Sequence, residues 1–577
     1  MEIFKVFKVL TKEKQRYCVL IVLCMLIGAV LEAVGIGAIL PLISLMGQED
    51  FLPRHQEIAV PLAQLGITTH TGFIIAAATA LIGFYILKNI YMAWMLRTQI
   101  KFSLGNQVEY AGNLMRAYLN KDYFYHVENN SANILRNVSS GPIVVFTTIL
   151  FSVFTLLTEI ITASMIWLML VVVDAFTAII IAAILGVMMY GIIKAFRKKI
   201  TRQGRIQSEY AAEYTKWLNQ GLGAIKETKV LRKEEYFNKE FANAYKRYGD
   251  ANQVFMYLNQ LPRLLIETLV TCGLLVLIIS KLAMGYTPLE IVPLLGVLAL
   301  AAFRLMPCAN RIVNMVNGIK FQMPFFNILY GDLLEAKELA TQQKTRKSEA
   351  KKTTFADNIA VEGLSFQYPQ GKEKVLDDVS FCIPKGSFCG IIGPSGAGKT
   401  TFVDILLGLL QPTDGKIAID GQSIADNIGG WQMNLSYVPQ SIYLIDGSIK
   451  ENIALGVPYQ EIDDEKICRV LRMAELYDFV DALPDKLETK VGERGVKLSG
   501  GQRQRIGIAR ALYYEPEVLI LDEATSALDN ETEKSITETI LKLKGKITII
   551  AIAHRVSTLE ECDFKIKFEQ GKIEKIM

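Results

Sequence analysis

The stretch GIIGPSGAGKTT, residues 390–401, fits the pattern GxxxxGK[ST]. It follows the apolar run SFCGII and leads into TFVDILLGLL, which predicts a strand, a loop and then a helix. Gly393, Gly396 and Gly398 allow backbone N–H groups to curl around phosphate oxygens, and the helix N-terminus adds partial positive charge. The stretch therefore predicts a phosphate-binding loop after a buried strand, in a P-loop domain of α/β class.

The side chains of this loop predict a nucleotide with its metal ion. Lys399 is expected to reach the β- and γ-phosphates of ATP, and Thr400 is expected to bind Mg²⁺. Ser395 and Thr401 belong to the same predicted ATP site. A lone glycine-rich loop is a weak signal, whereas the full motif between a strand and a helix is a specific one.

A second stretch, EVLILDEAT at residues 517–525, is an apolar run that ends in two carboxylates. We expect Asp522 to hold Mg²⁺, directly or through water, and Glu523 to polarise the attacking water as general base. The alternative interpretation is that two acids at a strand end merely cap a helix. The phosphate-binding loop upstream favours the catalytic interpretation, and the pair predicts ATP hydrolysis.

The stretch KLSGGQRQR, residues 497–505, completes the motif set. With it, residues 360–577 resemble the ATPase domain of ABC transporters, with the motifs in the usual order. The resemblance implies that Tyr368 stacks on adenine, that Gln440 contacts Mg²⁺ and the water, and that His554 contacts the γ-phosphate. It also assigns ATP contacts in the signature and the D-loop to Ser499, Gly500, Gly501, Gln502 and Asp529.

The signature has a structural consequence for assembly. Its serine and glycine amides, at a helix N-terminus, form a second anion cradle. In the family that cradle faces the ATP held by the phosphate-binding loop of a different ATPase domain, so one domain does not close its own site. Because this chain carries one such domain, the resemblance implies a half-transporter that forms a homodimer with two equivalent ATP sites.

Hydrophobic residues make up 51% of the 577-residue chain and gather in long runs before about residue 318. A membrane helix needs about 20 apolar residues. Six windows approximately meet that length: 17–46, 72–96, 143–171, 174–195, 262–280 and 289–313. The net charge of +4 is slight and gives no indication of a nucleic-acid partner. The eight cysteines contain no CxxC pair, so neither a zinc site nor a disulfide framework is predicted.

Lysine and arginine orient the six predicted spans. They are frequent in the N-terminus and in residues 196–261, and rare in 47–71, 172–173 and 281–288. We therefore expect a multi-pass membrane protein with the ATPase domain in the cytoplasm. The expected location is the bacterial cytoplasmic (inner) membrane. The expected domains are a helical transmembrane domain at 1–330 with two cytoplasmic coupling regions, a polar linker at 331–355 and the ATPase domain at 356–577. By resemblance this is the type IV exporter architecture, with coupling helices near 122–129 and 218–226.

Four cations lie in or near the apolar segments: Lys88, Arg263, Arg304 and Arg311. A charge at the bilayer centre costs about 2.5 to more than 10 kcal/mol, and Arg304 lies about 22 Å along a helix that begins near residue 289. The alternatives are snorkelling towards an interface, or pairing of Arg263 with Glu267 at i,i+4. Glu32 and Glu159 also lie in apolar segments, and the sequence leaves their roles open.

The segments LEAVGIGAILPLISLM and FRLMPCANRI resemble PglK-type flippases of lipid-linked oligosaccharides. That family has a basic belt for the pyrophosphate of its lipid, and the four cations match its positions, with lysine in place of arginine at residue 88. The resemblance implies an ATP-driven flippase or exporter of a polyprenyl-pyrophosphate-linked oligosaccharide. It does not indicate the sugar, the lipid chain length or partner glycosyltransferases.

Two other functions compete with this one. A lipid, drug or peptide exporter would use the same ATPase. A soluble ABC ATPase that acts on DNA or ribosomes would share the ATPase motifs, but the six predicted spans argue against it.

Overall fold

The structure is a computed structural model that describes residues 3–38, 69–173, 175–285, 288–345, 351–369, 371, 373–523, 530–552 and 561–576. The chain divides into two compact units. The helical unit comprises Met1–Lys121 and His126–Arg346, and the α/β unit comprises Asp122–Tyr125 and Lys347–Met577.

The first half of the chain is α-helical throughout the residues described. Its helices are α1 (Ile3–Val9), α2 (Lys12–Gly37), α3 (His70–Leu119), α4 (Tyr123–Glu128), α5 (Ser131–Pro142), α6 (Phe151–Val173), α7 (Ala175–Gly223), α8 (Ile225–Val230), α9 (Glu234–Ala283) and α10 (Pro288–Thr345). A π-helical segment, Ile143–Leu150, joins α5 to α6 directly after Pro142, which has no N–H to donate.

Four stretches within the described residues are long and apolar enough to cross a membrane: Lys12–Gly37, His70–Leu119, Ser131–Val172 and Glu234–Ala283. Each overlaps one of the predicted spans, although residues 39–46 of the first window lie outside the described residues. Helix α7 covers residues 175–195 of the fourth window, and α10 covers the sixth. Helix α10 continues to Thr345, through the first part of the predicted linker. The short helix α4 lies within the implied coupling region 122–129, whereas α8 overlaps 218–226 only at residues 225–226.

Helices α7, α9 and α10 meet around a small aromatic core. The rings of Phe255 and Phe321 are stacked with their centroids 4.0 Å apart. Ile200 and Leu258 are buried in the same cluster. At this crossing the backbones of α7 and α10 approach so closely that a Cβ on Gly204 would lie 1.8 Å from the carbonyl oxygen of Phe321. Glycine at position 204 is therefore what allows the two long helices to cross here.

The α/β unit contains two sheets. Its strands are β1 (Asn358–Phe366), β2 (Leu376–Pro384), β3 (Phe388–Ile392), β4 (Asp414–Ile419), β5 (Gln422–Ser423), β6 (Leu435–Val438), β7 (Val518–Asp522), β8 (Thr548–Ile552), β9 (Phe564–Glu569) and β10 (Lys572–Ile576). The four-stranded sheet has the order β2-β1-β4-β5 and is antiparallel. The six-stranded sheet has the order β10-β9-β3-β8-β7-β6.

The six-stranded sheet positions the nucleotide motifs. Strand β3 is parallel to β8 and β9, and β7 is parallel to β6 and β8. The loop that follows β3 and the carboxylates that end β7 therefore lie at the same edge of the sheet, the usual ligand edge of a parallel sheet. Two hydrophobic clusters, one on each side, bury β3, β7 and β8.

The close crossing at Gly204 generates a stability prediction. We expect Gly204→Ala to lower the free energy of unfolding by about 1–3 kcal/mol, because the methyl group overlaps the Phe321 carbonyl and the helices must separate. The measurement is thermal unfolding of the purified full-length protein. Gly249→Ala on α9 is the matched control, since a Cβ there has no heavy atom within 4 Å, and an equal loss in both variants would contradict the interpretation.

Candidate nucleotide site and membrane cations

The phosphate-binding loop has a backbone that only glycine accepts at two positions. Gly393 and Gly398 have φ of 151° and 98°. A Cβ would lie 2.3 Å from the Phe568 carbonyl oxygen at the first position and 2.8 Å from the Val375 carbonyl oxygen at the second. Gly396, at φ 81°, has no heavy atom within 4 Å of an added Cβ. The loop is thus packed on one side and open on the other, which leaves room for phosphate.

Lys399 begins helix α11 (Lys399–Leu406) and is folded back onto the loop. Its ammonium group donates to the carbonyl oxygens of Gly393 at 2.7 Å and Pro394 at 2.9 Å, and its side chain is buried. The charge is therefore preorganised at the centre of the loop, where phosphate oxygens can compete for it. Thr400 is exposed beside it, as a side chain that binds Mg²⁺ from solution requires. Ser395 is also exposed in the loop.

Tyr368 lies at the same site. Its hydroxyl is 3.3 Å from that of Thr401, which is buried. Its ring packs edge-on against Phe366, with centroids 4.9 Å apart, and is stacked near Phe124 of the α/β unit at 6.3 Å. The position next to Thr401 is compatible with the predicted stacking of Tyr368 on adenine, which stays a prediction. No nucleotide motif pointed to Phe124, which lies instead in the segment 122–129 that the resemblance assigned to a coupling helix.

Asp522 ends β7 as a largely buried carboxylate, 8% exposed. The Tyr437 hydroxyl, on the neighbouring strand β6, donates to its Oδ2 at 3.1 Å. Burial, with the charge of Asp522 nearby, raises the pKa of Asp404 on α11 to about 6. Burial and Asp522 also raise the pKa of Tyr437. Sequence reasoning missed both neighbours, although Tyr437 lies only three residues before Gln440.

Glu523 and Gln440 are in direct contact. The Gln440 amide donates to Glu523 Oε2 at 2.6 Å. Glu523 has φ of 49°, a left-handed conformation that is uncommon outside glycine, and its N–H donates to the Ile552 carbonyl oxygen at 2.9 Å. The sheet thus holds a strained residue in place, a feature that often occurs at functional sites. The structure brings together the predicted base and the predicted Q-loop glutamine.

The signature forms the N-terminus of α16 (Gly500–Tyr513). Four shorter helices precede it in the chain: α12 (Ile428–Gln432), α13 (Ile449–Ile453), α14 (Asp464–Met473) and α15 (Tyr477–Asp481). Ser499 is its N-cap: the hydroxyl accepts from the Gln502 N–H at 3.2 Å, and the Gln502 side chain accepts from the Ser499 N–H at 2.8 Å. This reciprocal cap leaves the first amides of the helix, at Gly500 and Gly501, pointing out of its end. Asp529 and His554 lie outside the described residues.

The described residues fit ATP with Mg²⁺. Mg²⁺ usually keeps several waters and is bound through one or two carboxylates together with substrate phosphates. Thr400, Gln440 and Asp522 offer a hydroxyl, an amide oxygen and a carboxylate of that kind. The described parts of the chain contain no group of three or more His, Cys, Asp or Glu residues that could enclose a metal ion alone. When bound, the metal would neutralise phosphate charge, and the open glycine loop would hold the phosphates.

In the helical unit, Lys88 forms an ion pair with Glu32. The ammonium group lies 2.8 Å from Glu32 Oε2, both side chains are 3% exposed, and the nitrogen lies 4.5 Å from the centroid of the Tyr85 ring. The pair joins α2 to α3. A buried charge requires a compensating partner, and each of these two residues is the partner of the other.

Arg311 is also paired, with Glu159. Its guanidinium contacts the two carboxylate oxygens at 2.7 and 3.1 Å, which joins α6 to α10. The Arg311 side chain is nevertheless 49% exposed. Arg263 is exposed on α9, and within the described residues no ion pair joins it to Glu267. The side chain of Arg304 lies outside the described ones. Of the three predicted substrate cations whose side chains the structure describes, two therefore lie against acids: Lys88 and Arg311.

Comparisons with known proteins relate part of the α/β unit to ABC transporters. Residues 376–526 match the ABC transporter family model. The ATP-dependent lipid A-core flippase of Ralstonia nicotianae is 40% identical over 218 residues, 37% of this chain and 37% of that protein. The heterocyst differentiation ATP-binding protein HepA of a Nostoc species is 37% identical over 267 residues, 46% of this chain and 44% of that protein. The ABC multidrug transporter MDR1 of Cryptococcus neoformans var. grubii is 40% identical over 220 residues, 37% of this chain and 16% of that protein.

The chain spans less than half the length of these curated relatives. A solved structure extends the comparison: a bacterial Atm1-family ABC exporter with ATP bound has a TM-score of 0.72 at 23% identity, over 93% of this chain and 94% of that one. The chain therefore has the fold of an Atm1-family ABC exporter, a helical transmembrane domain followed by an ABC transporter ATPase domain. This confirms the predicted fold class, and the ATPase domain implies ATP binding.

The contact between Gln440 and Glu523 generates the first functional prediction. We expect Glu523→Gln to slow ATP hydrolysis at least ~100-fold, because the amide cannot accept a proton from the attacking water. ATP binding should persist, since the phosphate-binding loop is unaltered. The measurements are phosphate release and equilibrium ATP binding, with the exposed Glu461→Gln as control. Normal hydrolysis in Glu523→Gln would rule out this residue as the base.

The buried pair of Lys88 and Glu32 generates a second prediction. Lys88→Met leaves the Glu32 carboxylate buried without its ammonium partner, and we expect a loss of about 3–5 kcal/mol in the free energy of unfolding. The double variant Glu32→Gln/Lys88→Met removes both charges and should recover most of that loss. Thermal unfolding of the full-length protein in detergent measures both. Equal stability of the single and double variants would show that the pair does not act as a unit.

Proposed function

We propose that the chain is an ATP-driven ABC transporter that moves its cargo across the bacterial cytoplasmic membrane. The main observation behind this proposal is that one sheet edge holds the phosphate-binding loop, Asp522 and the contacting pair Gln440–Glu523. The other half of the chain has the helical fold of an exporter. In this proposal, ATP binding closes the ATPase domains and changes the conformation of the helices, and hydrolysis resets them.

The working assembly in this proposal is a homodimer. The phosphate-binding loop lies at the ligand edge of the sheet, whereas the Ser499 cradle is at the N-terminus of α16. Because the family places these two cradles on the same ATP only across a dimer, two copies would form two equivalent sites. ATP hydrolysis by a stable monomer would contradict this part of the proposal.

For the cargo, we propose a polyprenyl-pyrophosphate-linked oligosaccharide. Arg263 and Arg311 support this assignment, because both remain exposed enough to contact an anionic group, and the lipid A-core flippase relatives act on a lipid by name. The second candidate is a general lipid or drug exporter. The neutralisation of Lys88 by Glu32 favours it, since that pair leaves less net charge for a pyrophosphate.

A transport assay separates the two candidates. In proteoliposomes we expect ATP-dependent flipping of a fluorescent polyprenyl-pyrophosphate-linked saccharide, slowed about tenfold or more by Arg263→Ala or Arg304→Ala through loss of a charged hydrogen bond. Basal ATP hydrolysis should be unchanged. Lys239→Ala, an exposed cation on the cytoplasmic part of α9, is the matched control.

Two other results of this assay would contradict parts of the proposal. If neutral amphiphiles stimulate ATP hydrolysis and the lipid-linked saccharide neither stimulates it nor is flipped, the general exporter is the correct assignment. If the saccharide is flipped at the unaltered rate by both arginine variants, the cargo assignment stands but these cations do not bind it.

A further inference from the structure

A cavity of about 560 Å³ between α7 and α10 concentrates positive charge within the helical unit. It is lined by five cations: Arg197, Lys198, Arg202 and Arg205 on α7 and Lys320 on α10. None of the described residues that line it is an acid. Arg205 forms an ion pair with Glu209, at 3.4 Å between two exposed side chains. Within the described residues, no ion pair involves Arg197, Lys198 or Arg202.

The cavity is formed by the packing of α10 against α7. Residues 197, 201 and 205 are spaced by four, as are 198 and 202, so these side chains lie along one broad face of α7. The close approach of Gly204 to Phe321 brings α10 against that face, and Lys320 directly precedes Phe321. Ile200 and Phe321 are buried beneath. The cations are thus held beside a rigid helix crossing.

The predicted apolar segments place one end of the cavity, at Arg197 and Lys198, next to the inner membrane surface. The predicted apolar segment in α7 ends near residue 195, and the one in α10 ends near residue 313. Lys320 is seven residues further on, about 10 Å along a helix. Cytoplasmic cations orient the segments in this direction. Lipid phosphates of the inner leaflet lie at the depth of Arg197 and Lys198. Basic pockets between membrane helices on this side bind phosphorylated head groups.

The charge balance indicates the kind of ligand. Arg197, Lys198 and Arg202, which form no ion pair within the described residues, lie close together and repel one another. A multiply charged anion relieves that repulsion. Arginine guanidinium groups match phosphate with two parallel hydrogen bonds each. Lys88 and Arg311, in contrast, already form ion pairs with carboxylates. A diphosphate, with more than one negative charge, therefore finds more uncompensated positive charge in this cavity than at those two residues.

We propose that the α7–α10 cavity is the site where the diphosphate group of a lipid-linked substrate docks from the inner leaflet. This inference rests on the proposed function and adds a location to it: the head group binds at the membrane surface before the deeper cations are involved. Arg197, Lys198 and Arg202 hold the phosphates, and the polyprenyl chain remains in the membrane.

The test uses the full-length protein in nanodiscs of zwitterionic lipid, titrated with radiolabelled polyprenyl diphosphate. We expect Lys198→Gln/Arg202→Gln to weaken binding about tenfold or more, by loss of charge-assisted contacts. The matched control is Lys199→Gln/Lys239→Gln, which removes two exposed cations that do not line the cavity. It should bind like the unmodified protein. All four substituted side chains are exposed, so the helices should fold normally.

Competition identifies the source of the phosphate. Inorganic pyrophosphate and phosphatidylglycerol should compete weakly. Equal affinity for phosphatidylglycerol would overturn the inference in favour of a general anionic-lipid site, and equal affinity for inorganic pyrophosphate would overturn it in favour of a soluble-anion site. Unaltered binding by Lys198→Gln/Arg202→Gln would also overturn it. Binding that depends on the cavity, without any flipping of the saccharide, would support the inference while the proposed cargo fails.

Discussion

A charge in an apolar helix needs a compensating partner within reach, and this constraint organises the helical unit. Lys88 and Glu32 lie on α3 and α2, and Arg311 and Glu159 lie on α10 and α6. Each pair forms only when its two helices take one relative rotation and depth. Sliding or rotation of the helices would leave the buried Lys88, Glu32 or Glu159 without its opposite charge. The pairs therefore favour one arrangement of the helices.

The α/β unit depends on a different constraint, the backbone at one sheet edge. Gly393 and Gly398 accept positive φ where a side chain would meet a carbonyl oxygen, and Glu523 takes positive φ without being glycine. Close by, burial and the charge of Asp522 raise the pKa of Asp404, so a negative charge is unfavourable at this edge. The edge therefore suits a phosphate ligand that carries its own cation, as a nucleotide bound to Mg²⁺ does.

Sequence patterns predicted those features that local residues determine. The phosphate-binding loop, its strand and helix, and the carboxylates after β7 follow from contiguous motifs, and the long apolar runs predicted the spanning helices. The ion pairs were not predictable, because 56 residues separate Glu32 from Lys88 and 152 separate Glu159 from Arg311. The contact of Tyr437 with Asp522 depends on β6 pairing with β7, and strand order is not local information. Helix α10 continues into the predicted linker, since its polar residues are also good helix formers.

The two ion pairs differ in what they leave available to a phosphate. A guanidinium has five N–H donors, of which Glu159 engages two, and the Arg311 side chain is half exposed. Arg311 can therefore keep its structural partner and still donate to an anion. Lys88 is buried against both Glu32 and the Tyr85 ring, so contact with an anion there requires the pair to separate. Of the two, Arg311 is the residue that can combine a structural role with cargo contact. In the cavity between α7 and α10, Arg197, Lys198 and Arg202 form no ion pair with any residue that the structure describes.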